Sequence, residues 1–158
     1  MNKLIIAILF FSLTTTVSYC QDFSRLSQKE FNSSDDYKYA ESEVLKCSEY
    51  LMNNPPDLNR LNRLYAVLYV SNWMRGTPDH RLVINKKIMN LGKSYSDLQS
   101  IHVASVVICA LDSRFKDFST IKRIEAANMQ LINYCSNPHN NISLPSGFQS
   151  KLPDNISN

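Results

Sequence analysis

Apolar residues recur every three or four positions through most of this chain, which is the spacing that places side chains on one face of an α-helix. The first such series consists of Tyr37, Ala40, Val44, Cys47 and Leu51. The chain has only 3 glycines among its 158 residues, which is too few for a fold rich in tight turns. The sequence therefore predicts an all-α protein.

Proline and glycine divide this pattern into separate helices. Residues 53–56, Asn-Asn-Pro-Pro, are predicted to end the first helix, and Asp57 is predicted to cap the second. Residues 64–74 are almost continuously apolar, so we expect the second half of this helix to be buried on most sides. Gly76, followed by Pro78, is predicted to end it in the left-handed conformation.

Three further helices are predicted in the second half of the chain. Residues 81–91 favour a short helix, although residues 82–84 also fit an extended segment. A central helix is expected from about residue 96 to 111, and an amphipathic helix from about residue 117 to 135. Because the turns are short, four or five helices are expected to form an antiparallel bundle or a short stack of helical hairpins.

The helical domain is predicted to span residues 34–135. Residues 21–33 are polar and lack a sustained period, so they are expected to form a mobile lead-in outside the core. Residues 136–158 combine several helix breakers with little apolar content and are predicted to form a loosely ordered tail.

Residues 1–20 have the organisation of a signal peptide. Lys3 supplies a positive charge, residues 4–13 are apolar except for Ser12, and Ser18 and Cys20 are small residues at the positions before a cleavage site. A membrane-spanning helix needs about 20 apolar residues, so we expect cleavage after Cys20, no remaining membrane span, and a secreted or periplasmic product. Lipid attachment at Cys20 is a less favoured alternative, because bulky Tyr19 precedes it.

Charge and cysteine content exclude two classes of protein. Without Lys3 the mature chain has 16 basic and 14 acidic residues, a balance too weak to predict nucleic-acid binding. Cys47, Cys109 and Cys135 remain after cleavage, and an odd number does not suit a disulfide scaffold. We expect mostly buried thiols, with the oxidation of one pair left open.

Two polar groups are weighed as catalytic or metal sites. His102, Ser105, Cys109 and Asp112 share one line along the fourth helix, but about 10 Å separates His102 from Cys109, whereas a base and its nucleophile need about 3 Å. We interpret the line as a polar strip facing solvent or a neighbouring helix. His80 beside Asp79 is interpreted as a polar turn, so neither a metal nor a cofactor is predicted.

A binding surface is predicted where the second helix ends. Trp73, Arg75, Asp79 and His80 lie close together in sequence, and Trp and Arg are favoured at protein-binding hot spots. The alternative places the Trp73 ring in the core, with its N–H on a backbone carbonyl, and pairs Arg75 with Asp79 at the surface.

Residues 62–85, NRLYAVLYVSNWMRGTPDHRLVIN, resemble short exported proteins of Bacteroidota-type bacteria whose function is unassigned. The resemblance implies a location in the bacterial envelope and brings no catalytic motif. The predicted function is a non-enzymatic protein-binding or scaffolding module with an unknown protein partner. The alternatives are an envelope enzyme with a site around His102 or His80 and a structural subunit that assembles with itself.

Overall fold

The computed structural model describes residues 22–91, 96–142, 144 and 148. Within these ranges every regular element is helical, which confirms the predicted all-α fold. The α-helices are α1 (Ser24–Ser27), α2 (Ser34–Asn53), α3 (Arg60–Gly76), α4 (Lys86–Leu91), α5 (Ser96–Leu111) and α6 (Thr120–Ser136). Single 3₁₀ turns lie at Ser113–Phe115 and Pro138–Asn140.

Two antiparallel hairpins make up most of the molecule. In the first, Trp73 near the end of α3 contacts Tyr37 near the start of α2. In the second, the start of α5 packs against the end of α6 through Leu98 and Leu131. Helix α5 contacts α2, α3, α4 and α6, and residues 101–109 are all buried. The predicted central helix is therefore confirmed.

Helix α2 begins and packs as its sequence predicts. The Ser33 hydroxyl accepts the backbone N–H of Asp36 at 3.3 Å, and the Asp36 carboxylate accepts the N–H of Ser33 at 2.9 Å. This reciprocal capping satisfies two donors that a helix start leaves unpaired. Of the predicted apolar series, Tyr37 is half-buried and the other four members are fully buried: Ala40, Val44, Cys47 and Leu51.

Both ends of α3 differ from the prediction. Asn59, not Asp57, caps the start, because its left-handed backbone with a φ of 46° turns its side chain toward the N–H of Asn62. Gly76 is the last helical residue and not a left-handed terminator. A Cβ atom at this position would overlap the phenol of Tyr37, so a larger residue requires that side chain to shift.

Replacing Gly76 with alanine is expected to destabilise the protein by about 1–3 kcal/mol, the usual cost of forcing extra volume into a packed contact. The added methyl group must displace the Tyr37 ring from its stack on Phe31, where the ring centroids lie 4.8 Å apart. Urea unfolding of Gly76→Ala, Tyr37→Leu and the double variant measures this coupling. Strictly additive effects of the two substitutions would contradict the predicted overlap.

The short helix predicted over residues 81–91 begins later than expected. Helix α4 begins only at Lys86, and residues 81–85 are irregular. The backbone N–H of Asn85 donates to Nε2 of His102 at 3.0 Å, and the Asn85 side chain accepts the N–H of Lys87 at 3.0 Å. These contacts fix Asn85 as the residue before the helix. Residues 81–84 therefore do not form a helix, although their apolar spacing would allow one.

Residues 21–33 form a polar lead-in, as predicted, but two aromatic residues within it pack on the core. The prediction that this segment lies outside the core is therefore wrong. Phe23 is buried against the ring of Tyr50, with centroids 5.1 Å apart. The Phe23 N–H donates to Oδ1 of Asn62 at 2.9 Å. Phe31 stacks on Tyr37.

The first part of the predicted tail also packs on the helices. The Asn140 side chain donates to the carbonyl of Tyr134 at 2.8 Å, and Phe148 is buried beside Leu98 and Leu131. The rest of the tail and the predicted signal peptide lie outside the described residues.

Candidate functional site

Trp73, the aromatic residue of the predicted binding surface, is buried in the structure. Trp73 is 0% exposed, and its indole N–H donates to the carbonyl of Tyr37 at 2.9 Å. The prediction that Trp73 contacts a partner is therefore wrong, because the ring is enclosed between α2, α3 and the following loop. The alternative, a core tryptophan bonded to a backbone carbonyl, is what the structure shows.

The other three predicted residues lie around this buried ring. His80 contacts Glu41 through Nε2 and Oε1 at 2.8 Å, and its ring centroid is 5.5 Å from that of Trp73. Arg75 and Asp79 are exposed, and within the described residues they do not form the predicted surface pair. A role for this group in binding stays a prediction.

His102 is a buried hydrogen-bond acceptor in the contact between α5 and the segment before α4. Its Nε2 accepts the N–H of Asn85, and its Nδ1 makes no hydrogen bond to any described residue. Burial lowers the pKa of His102 to about 4, because the charged imidazolium would lose its hydration. The ring is therefore neutral at physiological pH.

This burial predicts a stability change between pH 6.5 and pH 4. The unfolded chain binds a proton on this imidazole near pH 6.5, whereas the folded chain does so only near pH 4. The contribution of His102 is therefore complete above pH 6.5 and falls by about 3 kcal/mol as the pH drops to 4. The backbone N–H of Asn32 and the Ser33 side chain lower the pKa of Asp36 from its ordinary value, which is the opposite of a carboxylate raised into this window.

Urea unfolding at a series of pH values, compared between the wild type and His102→Gln, isolates the effect of this one side chain. The variant is expected to lose most of the slope in this window. An unchanged slope would assign the acid sensitivity to other groups.

Cys47, Cys109 and Cys135 are buried thiols, and none of these three forms a disulfide within the described chain. Sγ of Cys109 accepts a hydrogen bond from Nε2 of Gln130 at 3.2 Å. Burial raises the pKa of both Cys109 and Cys47 to about 12, so these thiols stay protonated. His80 and Cys109 line one cavity, but its volume of about 100 Å³ is well below that of usual ligand sites.

The predicted polar strip on α5 faces the protein interior over most of its length. His102, Ser105 and Cys109 are buried, while Asp112 pairs with Arg114 just beyond the helix. The hydroxyl of Ser105 donates to the carbonyl of His102 at 2.8 Å. Within the described residues His102 and Cys109 are not hydrogen-bonded to each other, so the strip lacks a base paired with a nucleophile.

Helix α3 has its polarity reversed in its first half, a feature that the sequence analysis missed. Asn62 and Arg63 are only 6% and 5% exposed, whereas the neighbouring leucines point outward. We call Leu61, Leu64 and Leu68 the leucine row; they are 58%, 51% and 43% exposed. Their spacing places them side by side on the outer face of the helix. The predicted burial of residues 64–74 on most sides is wrong for Leu64 and Leu68.

The reversal follows from hydrogen bonds that the polar residues make inside. Asn62 accepts the N–H of Phe23, and Nη1 of Arg63 donates to the carbonyls of Leu51 and Asn54 at 3.2 and 2.9 Å. Those carbonyls lie at the end of α2, where no helical partner remains for them. Once Asn62 and Arg63 face inward, the helical repeat turns the leucines to the surface.

Basic residues flank the leucine row. Helix α3 contains three arginines and no acidic residue. Arg60 and Arg75 are exposed near its two ends, while Arg63 is buried. The outer face of α3 is therefore apolar in the middle and has an exposed arginine near each end.

No protein-family model, curated protein or solved structure matches this chain. Across the described ranges, no three His, Cys, Asp or Glu side chains converge as a metal site would require. None of the helices in the part of the chain that the structure describes is long and apolar enough to cross a membrane. Any proposal about function therefore rests on the side chains of this protein alone.

Proposed function

We propose that this protein is an exported, non-enzymatic binding module of the cell envelope, and that the leucine row of α3 receives a protein partner. The observation that carries the proposal is the reversed polarity of α3, which places three adjacent leucines at the surface and two polar residues inside. Single exposed leucines are ordinary, but contiguous apolar patches are typical of interaction sites.

The proposed partner is an amphipathic helix with acidic residues beside its apolar face. A second helix can pack its own apolar side chains between Leu61, Leu64 and Leu68, as helices do in helix-to-groove recognition. Its acidic residues would meet Arg60 and Arg75, and complementary charges of this kind select the partner and its orientation.

A second copy of the chain fits this face poorly. In an antiparallel pair of α3 helices, Arg60 of one copy faces Arg75 of the other, and in a parallel pair identical arginines meet. Both arrangements place like charges together, and α3 has no acidic residue to neutralise them. Charge therefore favours a different protein over self-assembly.

The export and non-enzymatic parts of the proposal have separate support. Lys3, the apolar run at residues 4–13 and Cys20 favour export with cleavage. The neutral His102 and the protonated thiol of Cys109 are in poor states for acid–base or nucleophilic chemistry near neutral pH.

Two synthetic helical peptides test the proposed surface. Both carry the same leucines at positions i, i+3, i+4 and i+7, but one has glutamates beside them and the other has lysines. Fluorescence anisotropy with the mature protein is expected to show at least tenfold tighter binding of the glutamate peptide. Replacing Leu61 and Leu68 with glutamine is expected to weaken that binding at least tenfold.

Met129→Gln is the matched control, because Met129 is 44% exposed on α6, away from the leucine row. It is expected to leave peptide binding unchanged. Equal binding of the two peptides, no binding of the glutamate peptide, or an equal loss in the Met129 variant would contradict the proposal.

A further inference from the structure

A cleft of about 520 Å³ lies where the start of α3 meets the start of α5 and the segment after α6. This volume is within the range of sites for small ligands. Arg63 and Leu64 from α3, Asp97 from α5 and Ile142 from the segment after α6 form parts of its wall. The cleft shares Leu64 with the leucine row but is lined by charged groups that the row lacks.

Arg63 is an unusual residue for such a wall because it is a buried cation. It is 5% exposed, and no carboxylate within the described chain pairs with it. Nη1 donates to the carbonyls of Leu51 and Asn54, and the guanidinium also interacts with the Tyr134 side chain, but Nη2 itself has no hydrogen-bond partner among the described residues. A buried guanidinium without an anion is costly, even with partial compensation from helix carbonyls.

The charges around the cleft select the type of anion. The lining contains two arginines, Arg60 and Arg63, and two aspartates, Asp57 and Asp97, so its summed charge is zero. Because the lining has no net charge, a dianion such as phosphate gains little net attraction from it. A single carboxylate beside a cationic group satisfies both signs of charge.

Apolar side chains complete the lining. Leu64, Val67 and Ile142 also face this space. They provide a surface for an aliphatic side chain next to the charged groups, the combination that fixes orientation in ligand sites. The cleft thus offers cationic groups, carboxylates and an apolar surface. The ligand chemistry that matches these three features is an α-amino acid or a peptide end with an apolar side chain.

We infer that this cleft binds the α-carboxylate of an amino acid or peptide end, with Arg63 as the group that pairs with the carboxylate. The planar guanidinium suits a carboxylate because two parallel N–H donors match its two oxygens. Nη2 lies buried at the wall of the cleft, so the inference requires the guanidinium to turn toward the cleft when the carboxylate binds. Asp97 and Asp57 are the groups that a nearby ammonium would meet.

Four small probes test this site in the mature protein: leucine, the dipeptide Ala-Leu, leucinamide and inorganic phosphate. Calorimetry is expected to show binding of leucine or Ala-Leu, with leucinamide and phosphate at least tenfold weaker. The tighter of the first two identifies a free amino acid or a peptide end as the source of the carboxylate. The ¹⁵N signals of the Arg63 guanidinium are expected to shift as the ligand saturates the site.

Variants separate binding from folding. Arg63→Lys is expected to weaken leucine at least tenfold, but it also disturbs the contacts at the end of α2. Asp97→Asn is therefore the second variant, since Asp97 is exposed, and it is expected to weaken leucine but not N-acetylleucine, which lacks the ammonium.

Circular dichroism checks that each variant is folded. If Arg63→Lys does not fold, the ¹⁵N signals of the Arg63 guanidinium in the wild type show whether this side chain contacts the ligand. Leucinamide binding within twofold of leucine, tighter binding of phosphate, or Arg63 signals that stay fixed at saturation would overturn the inference. These outcomes leave the leucine row untouched, because its test uses Leu61 and Leu68.

Discussion

Trp73→Ala is expected to lower the free energy of unfolding by about 4 kcal/mol, within the usual range for emptying a buried tryptophan site. The ring is fully buried, so its removal leaves a cavity between the helices of the first hairpin. It also removes the donor to the Tyr37 carbonyl, which joins the end of α3 to the start of α2. A loss of this size is a large part of the stability of a domain this small.

Urea unfolding measures this effect, with Trp73→Phe and Leu61→Ala as comparisons. Phenylalanine keeps most of the ring but loses the indole donor, so an intermediate cost is expected. Leu61 is on the same helix and 58% exposed, so its replacement is expected to change stability by less than about 0.5 kcal/mol. Equal costs at positions 73 and 61 would contradict the assignment of the inner and outer faces of α3.

Ile8→Arg is expected to abolish export and to leave the full-length precursor in the cytosol. The substitution places a charge in the apolar run at residues 4–13, and a signal peptide needs an uninterrupted apolar region. Fractionation of the producing cells with intact-mass measurement gives the location and the first residue of the product.

The wild-type product is expected to begin at Gln21. Asn2→Lys is the matched control, because a further positive charge before the apolar run preserves the organisation of the signal. A product beginning at an acylated Cys20 would instead support the lipoprotein alternative. Equal export of Ile8→Arg and the wild type would contradict the signal-peptide assignment.

The packing of α2 and α5 could be predicted because their apolar spacing and their neighbours agree. The series from Tyr37 to Leu51 lies on the inner face of α2, and Ser33 caps that helix. In residues 81–85 the same spacing was misleading. There a buried imidazole far along the chain, His102, accepts the N–H of Asn85 and sets where α4 begins.

The surface of α3 could not be predicted from composition, because it depends on partners distant in sequence. Asn62 faces inward to meet Phe23 of the lead-in, and Arg63 faces inward to meet the end of α2. One signal was present: counting back from Trp73 through Tyr69 and Ala66 at helical spacing leads to Asn62, not to a leucine. Trp73 was assigned to a binding surface because tryptophan is common both at binding hot spots and in protein cores, and the sequence alone does not show which of the two applies.

Photo-crosslinking in the native cell is the most direct test of the outer face of α3. A photoreactive amino acid is placed at Leu68 in one strain and at Met129 in another, both exposed positions. The account predicts that position 68 alone captures a discrete envelope protein, and that the crosslinked peptide maps to an amphipathic helix with acidic residues beside its apolar face. The same products from both positions, capture of a second copy of this chain, or a crosslinked segment without acidic residues would contradict it.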